Sequence, residues 1–313
     1  MSHGLIRGRY KGGKADRVLN ISAGADMQDL LQPILNGILL GGLYAVIALG
    51  MNTMFGIVKL VNLAHGDLMI LGSYLSLVFI AWLGLNPFWS LLAVVPVMFV
   101  VGFLIQGFLL NRVLGKEMEP PLLVAFGLSI ILQNSLLLVF TPDARSLMTD
   151  LSVKTIPLGS SLNLPVLYFV DFLLGCAVIL ALHLFFKRTY LGRAIRASSD
   201  DEVGARLMGI NTRNIYAYAM GIAMMTAAVA GVLVGMTFTF YPHTGPQYLI
   251  IAFGVMIIGG LGSMAGCLVG GIILAEAQLL GAHFTGPGYQ LLCGYLVLLI
   301  VLGLRPQGIF GRA

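Results

Sequence analysis

The sequence predicts an all-α integral membrane protein, a polytopic bundle of about eight or nine transmembrane segments. Of its 313 residues, 58% are hydrophobic and only 10% are charged, and the mean hydropathy is +0.94. A soluble domain carries roughly a quarter charged residues, so this chain has too few to coat a surface in water. Long apolar runs alternate with short charged stretches, and a spanning helix needs roughly 20 apolar residues. These observations predict a bundle whose solvent is the lipid bilayer.

Nine apolar runs are the candidate segments. The seventh is short for a full crossing, which predicts a half-spanning helix that ends inside the bilayer, where protein rather than lipid surrounds its backbone. Glycine is abundant, with 40 residues, and small residues four apart let helices approach closely in lipid. In chain order the runs are Ile34–Val58, Leu68–Leu85, Phe88–Leu110, Pro121–Phe140, Val166–Phe186, Ile215–Phe240, Leu249–Gly262, Gly266–Ala282 and Tyr289–Leu304.

A charged island, Lys187–Arg213, separates the fifth and sixth runs. It carries six of the 18 basic residues of the chain, and no Lys, Arg, Asp or Glu occurs from Asn214 to Ala275. Positively charged loops face the cytoplasm, so we place the island there. Nine alternating segments then leave the polar linker Thr141–Pro165 outside. They put five further basic residues on the cytoplasmic side, namely Lys59, Arg112, Lys116, Arg305 and Arg312.

Residues 1–26 are expected to form a basic, disordered tail ahead of a permease domain at residues 27–313. The tail conflicts with the charge rule because it would lie outside. Either one segment fails to cross, or the tail is a dispensable addition with Met27 as an alternative start; we favour the second. Its stretch Gly8–Lys14 has the glycine and lysine spacing of a P-loop, but Ala15 replaces the hydroxyl that would hold Mg²⁺. We expect no cofactor, no metal and no nucleic-acid partner, since the five histidines are scattered and the net charge of +5 follows the loops.

Part of the island is predicted to be a short helix. Ser198 or Ser199 would cap a helix that begins at Asp200, with its acids in the first turn, where they complement the helix dipole. Gly209 would end it. Two interpretations stay open, a solvated loop helix or a coupling helix that docks on a cytoplasmic motor subunit. The residues assigned to coupling are Asp200, Asp201, Glu202, Val203, Arg206, Leu207, Met208 and Gly209, with Val203, Leu207 and Met208 as the apolar stripe.

Polar side chains also occur within the apolar runs. The stretch VNLAHGD, Val61–Asp67, is predicted to be a tight turn that either lines a translocation path or caps a helix. An ionisable group at bilayer depth must face a cavity or a partner. Glu276 therefore either lines a functional cavity or forms a structural hydrogen bond to a neighbouring helix. Asp171 is expected at the interface. The candidate path residues are Asn62, His65, Asp67, Gln133 and Glu276.

Three stretches together resemble the permeases of branched-chain amino acid ABC importers, of the LivH type. The resemblance runs from about Met27 to the C-terminus, and its NLAHGD and RPQGIFG pieces are specific. The stretches are NGILLGGLYAVIALGMNTMFGIVKLVNLAHGDLMILGSY (Asn36–Tyr74), GRAIRASSDDEVGARLMGIN (Gly192–Asn211) and LRPQGIFG (Leu304–Gly311).

The resemblance implies a transport subunit of the bacterial inner membrane, without enzymatic activity of its own. It would pair with a second homologous permease and two cytoplasmic ABC ATPases, and receive solute from a periplasmic solute-binding protein. The solute is expected to be a branched-chain amino acid, although related permeases carry other amino acids, urea, amides or aromatic acids. The island looks like the EAA loop of other ABC importers, but Gly204 stands where that motif has an alanine.

Two rival functions were weighed. An ion-gradient-driven secondary transporter would use intramembrane acids, and Asp67 and Glu276 are available for that role. It does not predict a docking helix. An intramembrane enzyme would use His65 with Asp67, but it requires a nucleophile or a metal that the sequence does not offer.

Overall fold

The computed structural model describes residues 23–84, 86–114, 119–158 and 162–311. Helices dominate these residues, and the one sheet among them is a two-stranded hairpin of β1 (Thr155–Leu158) and β2 (Leu162–Pro165). The α-helices are α1 (Ala23–Val58), α2 (His65–Leu83), α3 (Pro87–Leu104), α4 (Glu119–Phe140), α5 (Val166–Arg188), α6 (Tyr190–Asp200), α7 (Glu202–Leu207), α8 (Thr212–Thr237), α9 (Gly245–Gly259), α10 (Met264–Thr285) and α11 (Gln290–Leu304).

Eight helical stretches of the described chain are long and apolar enough to cross a membrane, and α9 is a shorter apolar helix of 15 residues. The predicted fold class is therefore confirmed, including the short seventh segment. That segment begins at Gly245 rather than Leu249, because Pro246 in the first turn suits a helix start. The predicted tail overlaps a helix, since α1 already begins at Ala23. The rest of the tail, with Gly8–Lys14, and the basic residues Lys116 and Arg312 lie outside the described residues.

The central helices are α1 and α8, which are the most buried spans, and α10 packs along α1 over much of its length. Glycines permit that contact. A Cβ on Gly41 would lie 2.5 Å from the Ile272 Cα, and one on Gly271 would lie 2.5 Å from the Gly41 carbonyl oxygen. Small residues thus bring the two backbones together where lipid offers no hydrophobic drive for association.

Two helices begin inside the bundle rather than at its surface. The His65 Nε2 atom lies 3.0 Å from the Ile47 carbonyl oxygen. Ile47 precedes the end of α1 by eleven residues, or about 16 Å at 1.5 Å per residue. Residues 59–64 therefore return from the island end of the bundle to mid-depth. There α2 meets the start of α9, because a Cβ on Gly66 would overlap the Gly245 carbonyl.

The polar linker contains the hairpin of β1 and β2, which the sequence analysis did not predict. Arg145, earlier in the linker, pairs with Phe240 through backbone hydrogen bonds of 2.8 Å in each direction. The linker therefore closes over the end of α8. Asp171, which was expected at the interface, is buried within the bundle, and its Oδ2 accepts a 2.7 Å hydrogen bond from the hydroxyl of Thr237, the last residue of α8.

Candidate functional site

The island folds into two helices joined at Asp201. The prediction that Ser198 or Ser199 caps a helix beginning at Asp200 is wrong, because all three residues still belong to α6. The cap is Asp201, whose Oδ1 accepts hydrogen bonds of 3.0 Å from the backbone N–H groups of Val203 and Gly204. A carboxylate at this position satisfies two unpaired donors and complements the helix dipole. Consequently α7 is a six-residue helix, Glu202–Leu207.

Gly209 ends α7, as the sequence predicts. Its φ is +84°, a conformation that glycine adopts without steric cost. The Gly209 N–H donates to the Arg206 carbonyl and the Ile210 N–H to the Ala205 carbonyl, both at 3.0 Å. The last carbonyls of α7 are thereby satisfied, and the chain turns directly into α8.

The outer face of α7 is apolar and uncovered. Val203 is 69% exposed, and Leu207 and Met208 are each 83% exposed. Beside them Glu202 and Arg206 form an exposed ion pair one helical turn apart, and the Arg206 Nε donates to the Thr212 hydroxyl at 3.0 Å. An apolar patch with a charged rim on a loop is typical of a protein-binding surface.

A second polar centre lies where α2 meets α9. Asp67 is 2% exposed, and its Oδ2 accepts a hydrogen bond from the Ser129 hydroxyl. Gln133 Nε2 donates to the Ser129 Oγ at 3.1 Å, and the Gln133 Oε1 accepts from the His243 Nδ1 at 3.3 Å. We call these four residues the mid-depth network. It joins α2, α4 and the loop before α9, and it leads from a buried carboxylate to an exposed imidazole.

Asp67 also lies against the start of α9. A Cβ on Gly245 would overlap its carboxylate, so only glycine fits there. Among the described residues, no side chain or backbone group donates to the Asp67 Oδ1. A buried carboxyl oxygen without a donor is costly in an apolar surrounding.

The other candidate path residues have different surroundings. Asn62 is buried, and its Oδ1 accepts a 3.0 Å hydrogen bond from the Ala64 N–H, which closes the turn before α2. It does not cap α2, whose first turn has no side-chain cap. His65 is buried against α1. Glu276 lies at the α1–α10 contact, where a Cβ on Gly37 would come within 2.6 Å of its carboxyl carbon. The structure thus brings Asp67 and Gln133 together, with Asn62 and His65 at the adjoining start of α2.

Two members of the network were missed by sequence reasoning. Ser129 lies in an apolar run and carries no signal of its own. Its spacing of four residues from Gln133 places both on one face of α4, and that spacing was the available clue. His243 was missed because sequence distance does not reveal that its loop returns to mid-depth. In the part of the chain that the structure describes, no group of three His, Cys, Asp or Glu residues is arranged to hold a metal ion.

Helix starts that meet around polar groups at mid-depth are an arrangement found in membrane transporters. Together with the multi-pass fold, it defines the class of protein as a membrane transport permease. The comparisons with known proteins give the family. The sequence model of the family described as "Branched-chain amino acid transport system / permease component" matches residues 33–302. The chain belongs to this family.

Individual relatives agree with that assignment. The high-affinity branched-chain amino acid transport system permease protein BraD of Pseudomonas aeruginosa is 34% identical over 298 residues, which cover 90% of this chain and 96% of that protein. LivH of Escherichia coli is 33% identical over 300 residues, with the same coverage of 90% and 96%. LivM of E. coli is 26% identical and covers 85% of this chain and 67% of that protein.

A solved structure, PsaBC from Streptococcus pneumoniae in complex with Fab, has a TM-score of 0.41 and 16% identity over 93% of this chain and 95% of that chain. That likeness is too weak to define the fold. The family assignment confirms the predictions of a transport subunit rather than an enzyme and of a multi-pass protein of the inner membrane.

Proposed function

We propose that the chain moves branched-chain amino acids, or amino acids related to them, through an importer driven by two separate cytoplasmic ABC ATPases. The observation that carries this proposal is the family membership, together with relatives named for branched-chain amino acid transport that match nearly their whole length. A periplasmic solute-binding protein would deliver the solute, and a second homologous permease would complete the pore.

The ATPase contact is assigned to α7 and its flanks. The island exposes three apolar side chains, those of Val203, Leu207 and Met208. The ion pair of Glu202 with Arg206 borders them. Burial of that apolar patch in a groove of the ATPase would remove it from water, which is favourable. Asp201 and Gly209 support this face by fixing the two ends of α7. Asp200 ends α6 beside it.

The solute path is assigned to the mid-depth network and the face of α4 beside it. Asn134 and Ser135 of α4 are exposed, as are His243 and Gln247 near the start of α9. Exposed amides and hydroxyls are costly against lipid. We infer that this face meets the second permease and that the two subunits enclose a water-accessible path there. Asp67 and Gln133 would line or gate it, while Asn62 and His65 hold the start of α2 in place.

The proposal is tested by uptake into membrane vesicles that contain the chain with its cognate permease, ATPases and binding protein. We expect labelled leucine or valine to enter only with ATP and to keep entering when a protonophore dissipates the proton gradient. An ion-gradient-driven transporter, the rival that uses Asp67 and Glu276, predicts the reverse. Uptake that does not depend on ATP and is abolished by the protonophore, or by a Na⁺ ionophore, would overturn the proposal.

A further inference from the structure

The island end of α1 contacts the turn that connects α9 to α10. Asn52 of α1 is 1% exposed. Its Nδ2 donates to the Ser263 carbonyl at 2.8 Å and to the Cys267 Sγ at 3.0 Å, and its Oδ1 accepts from the Gly262 N–H at 2.7 Å. One side chain therefore makes two hydrogen bonds to a turn whose glycines, Gly260 and Gly262, have φ of +104° and +80°, and a third to the first turn of α10. A buried polar group that is fully bonded fixes one geometry.

The same end of α1 also contacts the island. Ser199 of α6 donates from its hydroxyl to the Gly56 carbonyl at 2.6 Å. Gly56 follows Asn52 by four residues and so lies on the same face of α1. A Cβ on Gly56 would lie 3.3 Å from the Gly262 Cα, so the turn packs against this face. Within two helical turns, α1 is bonded both to the island and to the turn that follows α9.

The C-terminal segment fixes the remaining side of that turn. The Ile309 N–H donates to the Ile258 carbonyl and the Phe310 N–H to the Gly259 carbonyl, both at 3.0 Å. These carbonyls belong to the last turn of α9, where a helix leaves its acceptors unpaired. The RPQGIFG stretch therefore acts as a strap across the end of α9. The end of α9 is thus bonded to the C-terminal segment, and the turn that follows it is bonded to α1 through Asn52.

We propose that Ser199 and Asn52 are positioning residues that carry a displacement of the island to α9. The order of contacts is Ser199 to Gly56, α1 from Gly56 to Asn52, Asn52 to the Gly260–Ser263 turn, and α9 from that turn to Asp67. This inference rests on the proposed contact of α7 with an ATPase. It goes further by naming the route from that contact to the mid-depth network. Neither residue touches solute on this account, and each acts on α9 through α1.

The test is the amount of leucine taken up per ATP hydrolysed by the assembled complex in vesicles. Ser199→Ala removes the hydroxyl that bonds to α1 and leaves the backbone of α6 intact. We expect the uptake per ATP to fall about fivefold, within the range that coupling mutations produce. Ser199→Thr keeps a hydroxyl donor and is expected to restore the ratio. Asn52→Leu removes both hydrogen bonds to the turn and the one to Cys267 of α10, and it is expected to lower the ratio at least as much.

The neighbouring serine is a matched control. Ser198 is buried, and its hydroxyl donates to Ala194 of its own helix at 3.0 Å, so Ser198→Ala should leave the ratio unchanged. The inference is overturned if Ser199→Ala behaves like Ser198→Ala, or if Ser199→Thr fails to restore the ratio. If Asn52→Leu does not reach the membrane, the uptake per ATP of the serine variants alone tests the inference.

Failure of this inference is distinguishable from failure of the proposed ATPase contact. The ATPases should copurify with the Ser199→Ala chain in the normal ratio, because the exposed face of α7 is unchanged. Loss of copurification in that variant would contradict a purely transmitting role. If instead substitutions on α7 leave uptake and copurification normal, the ATPase contact is wrong, whatever the serine variants do.

Discussion

At the residue scale, the close contact of Asp67 with Gly245 joins the starts of α2 and α9. The carboxylate lies against the first residue of α9, and any side chain on Gly245 would overlap it. Sequence reasoning found Asp67 because an acid next to an apolar run is costly in a bilayer. It did not find Gly245 or Ser129, because small residues are abundant in this chain and their importance arises only from the contact between α2, α4 and α9.

Gly245→Ala is therefore expected to destabilise the protein. Overpacking of this kind costs about 1–3 kcal/mol, and we expect a lower Tm in detergent together with reduced uptake. Gly288→Ala is the matched control, since a Cβ there would meet nothing within 4 Å. Equal Tm values for the two variants would show that α9 does not approach Asp67 closely.

His243 should be accessible to water. Its side chain is exposed at the end of the mid-depth network, so a water-soluble thiol reagent is expected to label His243→Cys. Leu299 is 62% exposed on α11, on a span that we assign to lipid contact, so Leu299→Cys should react slowly. The labelling of the parent chain, which has three cysteines of its own, gives the background. Similar rates for both variants would argue against a water-filled path.

At the element scale, α7 illustrates what a sequence can predict and what it cannot. Composition and charge placed a short helix in the island, and Gly209 marked its end, because these signals are local. The start was misplaced because two serines and three acids all offer capping oxygens, and the choice of Asp201 depends on the bend between α6 and α7. The hairpin in the linker was missed because β1 and β2 are only four residues each, too short for a clear alternating pattern.

Glu202→Lys and Gly209→Pro are expected to leave the chain in the membrane but to uncouple ATP hydrolysis from uptake. Glu202→Lys puts two cations one turn apart and a cation at a helix start, while proline cannot adopt the φ of +84° at Gly209. Asp150→Lys, an exposed charge reversal in the linker, is the control. Normal uptake and normal ATPase stimulation in both α7 variants would refute the coupling role.

At the scale of the whole molecule, the two proposed sites lie at different depths of the bundle. The island end carries the exposed α7 face, and the interior carries the mid-depth network; α1 and α9 connect them. Hydropathy alone predicted the number of segments and the short seventh one. It could not predict that α2 and α9 begin beside each other, because that contact joins residues far apart in the chain.

Deletion of residues 1–26 is expected to be tolerated. The family model begins to match at residue 33, and the basic tail conflicts with the orientation that the other charges set. Membrane abundance and leucine uptake of the shortened chain should therefore equal those of the full chain. Loss of membrane insertion would show instead that the tail, or the first turn of α1, is needed for assembly.

A crosslink tests most directly whether α7 is the surface that meets the ATPases. Leu207→Cys and Met148→Cys place thiols at positions that are 83% and 87% exposed, the first on α7 and the second in the linker. In membranes that hold the assembled complex, a short bifunctional reagent should join Leu207→Cys to an ATPase subunit and leave Met148→Cys unjoined. An ATPase adduct with Met148→Cys, or none with Leu207→Cys above the level of the parent chain, would contradict the assignment of α7 as the coupling surface.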